Sequence, residues 1–203
     1  MFKGWKMEKT KNIKEHIMDV TTQLIQESDG DIIQITIRRI AERAQVGLGL
    51  INYHFGSKDK LILECIQRII NNVVHCFTPE EKVYGENDDK YRLADWAKQV
   101  YDFLFENRVI SMMSILGDMQ DYHAACNSVN TQRGLALALD NFTDNKQKRM
   151  LVFTLTSIMQ VAFLSGEYSK EIIGYDLYKK EERDLFIDTV VEMLFDGIVD
   201  RWK

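Results

Sequence analysis

The sequence predicts an all-α protein, and three observations carry that prediction. The 203 residues include one proline, Pro79, and 11 glycines, so few positions would interrupt a helix. Apolar residues recur at intervals of three and four along most of the chain, the spacing of one helical face. No stretch alternates apolar and polar residues as a half-buried strand would. With 45% of its residues apolar, the chain can bury a substantial core.

A first helix is expected over residues 11–27, where Ile13, Ile17, Val20, Thr21 and Leu24 share a face. The following SDGD, residues 28–31, reads as a turn. Thr36 suits an N-cap and opens a second helix carrying Ile37, Ile40, Ala41 and Ala44. Gln45 leads to a third helix over residues 47–54, which Gly56 stops. Ser57 caps a fourth, and Leu61, Ile62, Cys65, Ile66, Ile69 and Val73 carry it to about residue 76. After Pro79 an acidic linker, TPEEKVYGENDDK, reaches a fifth helix over residues 91–106. Further helices are expected at 109–119, 122–139, 145–164 and 180–202, with breaks at Gly117, Gly134 and Gly166.

Charge is distributed unevenly. Residues 1–78 hold 11 Lys and Arg against 9 Asp and Glu, whereas the remainder holds 15 against 22. Lys3, Lys6, Lys9, Lys11 and Lys14 crowd the first turns. Such a split suits a front end that meets a polyanion. Three cysteines, Cys65, Cys76 and Cys126, fit free thiols in a reducing cytoplasm, not a disulfide framework. The N-terminus has no apolar core of a secretory signal. The most apolar run, residues 150–164, reads as too short to span a bilayer, so no membrane partner is expected.

The third helix raises a question of its own. Gly47 and Gly49 stand in a short apolar turn, although glycine costs about 1 kcal/mol in a helix interior. Asn52, Tyr53, His54 and Phe55 follow at once. A helix-turn-helix explains this, because its second helix enters the major groove by its N-terminal residues. Missing side chains there let backbone approach DNA closely. An ordinary helical hairpin is the alternative.

The residues ITIRRIAERAQV (35–46), GLGLINYHF (47–55) and SKDKL (57–61), preceded by IMDVTTQLI (17–25), resemble the N-terminal domain of TetR-family transcriptional regulators. The resemblance covers about a third of the chain. It implies a three-helix DNA-binding domain over residues 1–57. A larger ligand-binding and dimerisation domain would follow over 58–203, with the fourth helix shared. It implies core positions at Ile40, Ala41, Ala44, Val46, Ile51 and Phe55. The DNA-facing positions it implies are Thr36, Arg38, Leu48, Gly49, Leu50, Asn52, Tyr53, His54 and Lys58.

The sequence departs from the family pattern at four of these places. Gln45 stands where glycine is usual in the turn, Gly47 replaces a capping serine or threonine, Leu48 replaces a polar residue, and Asn52 replaces a tyrosine. Leu48 and Leu50 would suit thymine methyl groups, Asn52 adenine, and Arg38 guanine. The partners implied are a double-stranded DNA operator, a second copy of the chain and a small-molecule effector. The function implied is a ligand-responsive transcriptional regulator, a repressor released from a palindromic operator by an apolar or amphipathic effector. A ligand-independent interaction protein with the same head is the second reading.

The last helix carries an acidic stripe, Asp184, Asp188, Glu192, Asp196 and Asp200, expected to be solvated. Its apolar arc is wide, and the helix over 145–164 is apolar almost all round. The two resemble the family's dimer-forming pair, which implies an interface of Leu151, Leu155, Ile158, Ile187, Val191, Phe195 and Trp202; burial within one subunit is the alternative. A ligand pocket, expected by resemblance, would draw on Trp96, Phe103, Met112, Met113, Met119, Tyr122, His123, Gln160 and Phe163, though each fits an ordinary core as well. No GxSxG, phosphate loop, HExxH, CxxC or paired-carboxylate signature occurs, so neither enzyme activity, a metal nor a cofactor is expected.

Overall fold

A computed structural model describes residues 2–28, 32–76, 85, 88–142 and 144–199. The described side chains exclude those of residues 2–11, 33, 71–76, 198 and 199. The protein is all-α, with no strand among the described residues. It divides into two compact units, Met1–Phe77 and Thr78–Lys203.

The first unit holds four helices: α1 (Phe2–Glu27), α2 (Ile37–Ala44), α3 (Leu48–Phe55) and α4 (Lys58–Cys76). The α1 helix begins well before residue 11, so the lysine-rich segment is helical backbone. Thr36 caps α2 as expected, its Oγ1 accepting from the Arg39 amide at 3.2 Å. Gln45 takes the left-handed conformation that the missing glycine implied, at φ 53° and ψ 41°. Gly47 caps α3 with extended backbone and no side-chain bond. Gly56, at φ 77°, ends α3, and Ser57 Oγ accepts from the Lys60 amide at 3.2 Å to start α4. The helices close on Ile17, Leu24, Ile40, Ile51, Phe55, Leu61, Ile62 and Ile66, all buried. Of the core positions implied by the resemblance, only Val46 stays half-exposed. Residues 29–31 of the expected turn lie outside the described residues.

The second unit begins with α5 (Asp89–Glu106) and α6 (Arg108–Gln120), and most of the acidic linker before them lies outside the described residues. Then come α7 (Asn127–Ala136), α8 (Asn145–Ser165), α9 (Ser169–Ile173) and α10 (Lys180–Leu194), the last continuing as a π turn, Phe195–Val199. The expected helix over 122–139 is shorter at both ends. Residues 122–126 form a turn because the Asp118 carboxylate accepts from both the amide and the hydroxyl of Ser128, at 2.7 and 2.6 Å. That pair of bonds fixes where α7 starts.

The core of this unit gathers Leu93, Ala97, Tyr101, Leu139, Leu151, Leu155, Phe163, Phe186, Ile187 and Val191. By length and composition the stretch Asn145–Ile173 would pass for a membrane span, which corrects the expectation that it is too short. Its Leu151, Val152, Leu155, Met159 and Phe163 are buried in this core. The acidic stripe of α10 is likewise not simply solvated. Lys98 Nζ lies 2.6 Å from Asp188, Lys90 Nζ lies 3.2 Å from Glu192, and Lys180 pairs with Asp184 at 3.3 Å. The α5 helix therefore supplies lysines along that stripe.

Candidate nucleic-acid interface

The turn between α2 and α3 decides what α3 presents. Gln45 in the left-handed region reverses the chain, and the Gln45 and Val46 amides close the end of α2 on Glu42 and Ala41. The chain then enters α3 with only Ile51 and Phe55 facing the core. The rest of the helix surface is left outward. Leu48 is 43% exposed, Leu50 38% and Tyr53 77%, while Gly49 and Asn52 are also exposed.

Of the nine positions that the resemblance assigns to DNA, seven are exposed and two, His54 and Lys58, are half-buried. Thr36 and Arg38 lie at the start of α2, residues 48–54 along α3, and Lys58 at the first turn of α4. Thr36 has its hydroxyl engaged in capping. His54 is half-buried between aromatic neighbours, its ring centroid 5.1 Å from that of Tyr53 and 6.2 Å from that of Phe55. Among the described residues neither Arg38 nor Lys58 pairs with a carboxylate, whereas Arg43 pairs with Glu27 at 2.6 Å and Lys14 with Glu64 at 2.9 Å. Arg38 and Lys58 are thus free of ion pairs among the described residues, whereas Lys14 and Arg43 each have one.

The two glycines gain meaning from their surroundings. A Cβ built at Gly47 or Gly49 would meet nothing within 4 Å, and neither has a positive φ. No packing or backbone demand inside this unit asks for glycine at either place.

The residues expected to form a pocket differ widely in burial. Met112, Met119, Tyr122 and His123 are exposed. Phe163 is buried, and Trp96, Phe103, Met113 and Gln160 are half-buried. Gln160 Nε2 donates to Ser128 Oγ at 2.7 Å, joining the Asp118–Ser128 pair. Sequence reasoning missed this polar seam between α6, α7 and α8, although Ser111, Ser114 and Asp118 recur at helical spacing on one face of α6.

The residues expected at a dimer interface need a similar correction. Leu151, Leu155, Ile187 and Val191 are buried within their own unit, and Ile158 and Phe195 pack against the same core. Side chains consumed by internal packing cannot also face a second subunit. Trp202 lies outside the described residues. The apolar residues left outward are Met150, Phe153 and Val161 on α8 and Leu185 and Met193 on α10.

Both short helices, their left-handed turn and the outward α3 define a helix-turn-helix head. Residues 17–65 match the family model of bacterial regulatory proteins, tetR family. The fold is similar to a TetR transcriptional regulator from Rhodococcus sp. RHA1, at a TM-score of 0.62 and 13% identity, covering 94% of this chain and 98% of that one. A second transcriptional regulator from Rhodococcus sp. RHA1 is similar at a TM-score of 0.58 and 16% identity, covering 91% and 96%. A tetR-family transcriptional regulator from Streptomyces coelicolor follows at 0.54 and 16%, covering 91% and 79%. At these identities the likeness is one of fold. No curated protein sequence matches the chain.

Proposed function

We propose that the protein is a DNA-binding transcriptional regulator, not an enzyme, acting in the cytoplasm as a homodimer on a palindromic operator. In this reading it is a repressor, and a small apolar or amphipathic molecule bound by the second unit releases it. Residues 1–57 read DNA, residues 58–203 hold the effector and the partner subunit, and α4 is common to both tasks.

One observation carries the reading. The α3 helix presents Leu48, Gly49, Leu50, Asn52 and Tyr53 to solvent, with two glycines that internal packing does not require. Backbone that must lie close to a groove explains glycine where the protein alone does not. Arg38 and Lys58 flank this surface and are free of ion pairs among the described residues. Arginine suits guanine, asparagine suits adenine, and the two leucines suit thymine methyl groups. Tyr53, His54 and Lys58 suit phosphate.

The homodimer rests on the outward stripe of α8. Met150, Phe153 and Val161 recur at helical spacing and are 54%, 49% and 62% exposed. With Leu185 and Met193 of α10 they offer an apolar face for a bundle about a twofold axis. Two α3 helices about 34–36 Å apart would then enter successive major grooves.

Sequencing the fragments that purified protein selects from random DNA tests the central claim, and a palindromic consensus is expected. Lys58→Ala should weaken all sequences alike and reduce the salt slope by about one. Asn52→Ala should change which bases are selected, at a cost of about 1–3 kcal/mol on the preferred site. Selection of no sequence at all, with unaltered slopes, removes the DNA-binding reading. For the dimer, Phe153→Asp should give a folded monomer by sedimentation that has lost operator affinity; a dimer that persists would place the interface elsewhere.

A further inference from the structure

The second unit contains buried polar groups that its fold leaves without a partner, and one of them, Ser111, stands one turn after Arg108 at the start of α6. Arg108, the first residue of α6, is half-buried and has no carboxylate partner among the described residues. Its guanidinium lies over the ring of Tyr178 at 4.9 Å and over that of Phe163 at 6.0 Å, and it donates to the Tyr178 hydroxyl. The nearby Arg183 is different, because Asp102 takes its guanidinium at 2.8 Å. The Arg108 fork packs close to the backbone of Gly166, where a Cβ would come within 2.8 Å of Arg108 Nη2.

One turn further along the same face of α6 stands Ser111. It is 1% exposed and its Oγ has no partner. Other helical hydroxyls in this unit return to the carbonyl four residues back, as Thr154, Thr156, Ser157 and Thr189 do at 2.7–2.8 Å. Ser111 does not. A buried hydroxyl without a partner is costly unless something else meets it.

The end of the helix adds to the same polarity. No side chain caps the α6 N-terminus and no acidic residue stands in its first turn. Its free amides and dipole favour negative charge. Two more buried groups of this unit also lack partners, Trp96 Nε1 and Tyr101 Oη, and both can donate. Tyr101 meets Phe105 at 5.2 Å, and Phe105 meets both Phe163 and Tyr178, the rings that hold Arg108. Each of these groups can donate, and the two hydroxyls can also accept.

We propose that Arg108 and Ser111 bind the carboxylate of the effector, whose apolar or aromatic body packs against the exposed ring of Tyr178. The planar fork of arginine matches a carboxylate in two parallel bonds, and the adjoining hydroxyl supplies a third. This deepens the ligand-responsive reading above and rests on it.

The test is calorimetric titration of the full-length protein with benzoate and octanoate, against benzyl alcohol and octylamine. At least one carboxylate should bind, and the neutral and cationic probes should bind far more weakly. Arg108→Gln should weaken carboxylate binding roughly tenfold or more, and Arg108→Lys, which keeps charge but loses the fork, should fall between. Ser111→Ala should raise the melting temperature, since it removes an unpartnered buried hydroxyl, yet weaken the carboxylate. Failure of both carboxylates to bind, or equal binding by Arg108→Gln, overturns the site. Operator release by the neutral or cationic probe, with no carboxylate binding, does the same while leaving the ligand-responsive regulator standing. Carboxylate binding that depends on Arg108 but leaves operator affinity unchanged keeps the site and removes the effector role.

Discussion

His16 and Ala44 tie the first helix to the end of the second: the imidazole Nε2 lies 3.0 Å from the Ala44 carbonyl oxygen. Ala44 is the last residue of α2, where carbonyls have no partner along their own helix. The ring nitrogen donates to one of them just before the chain turns at Gln45. The bond ties α1 to the residue that precedes the α2–α3 turn.

Replacing His16 should therefore cost stability without touching the reading surface. His16→Ala is expected to lower the unfolding free energy of the first unit by about 1 kcal/mol, the worth of an ordinary hydrogen bond. Urea unfolding followed by circular dichroism measures it. An unchanged midpoint would mean that water serves Ala44 equally well.

Gln45 offers the opposite change. Its left-handed conformation costs a residue with a Cβ roughly 1–2 kcal/mol, less what glycine loses in chain entropy. Gln45→Gly should raise stability by about 0.5–1 kcal/mol. A loss would show that the glutamine side chain makes up for its backbone.

Gly49→Ala should separate stability from binding. The added methyl meets nothing within 4 Å in the protein. Alanine should strengthen α3 by up to about 1 kcal/mol. Operator affinity should nevertheless fall, because the same methyl would stand between backbone and groove. Thermal unfolding and fluorescence anisotropy on the selected operator check the two signs. If both rise together, the glycine has no role at the interface.

Acid should weaken the second unit through Asp102. Burial favours its neutral form, but hydrogen bonds from Lys180 and Arg183 outweigh burial and hold its pKa below the ordinary carboxylate value. A carboxyl with a lowered folded pKa contributes stability that is complete above its unfolded pKa. That stability is lost as pH falls through the folded value. Unfolding of wild type and Asp102→Asn should therefore differ most near neutral pH and converge in acid. A gap that stays constant with pH would assign the loss to packing alone.

The first unit was legible in the sequence because local chemistry decides it. Thr36, Gln45, Gly56 and Ser57 each act within a few residues of themselves, and each did what its side chain or its lack of one implies. The second unit was less legible where distant partners decide. The start of α7 depends on Asp118 reaching Ser128, ten residues on, which no periodicity announces. On α8, apolar residues occupy nearly every direction, so the pattern leaves open which face turns inward. Leu151 and Leu155 went in and Phe153 and Val161 stayed out. Arg108 carries no sequence signal at all, because what marks it is a missing carboxylate partner.

The construction of α3 has a consequence for its motions. The helix has eight residues, a glycine within its first turns, no side-chain cap and only two buried anchors, Ile51 and Phe55. The α1 and α4 helices that flank it are longer and bury many more apolar side chains. Amide hydrogens in α3 should therefore exchange with solvent ahead of those in the middle of α1 and α4, through local opening that leaves the rest folded. On the DNA-binding proposal, the segment offered to DNA is thus one with few anchors of its own, and its final shape would be set partly by the groove that receives it.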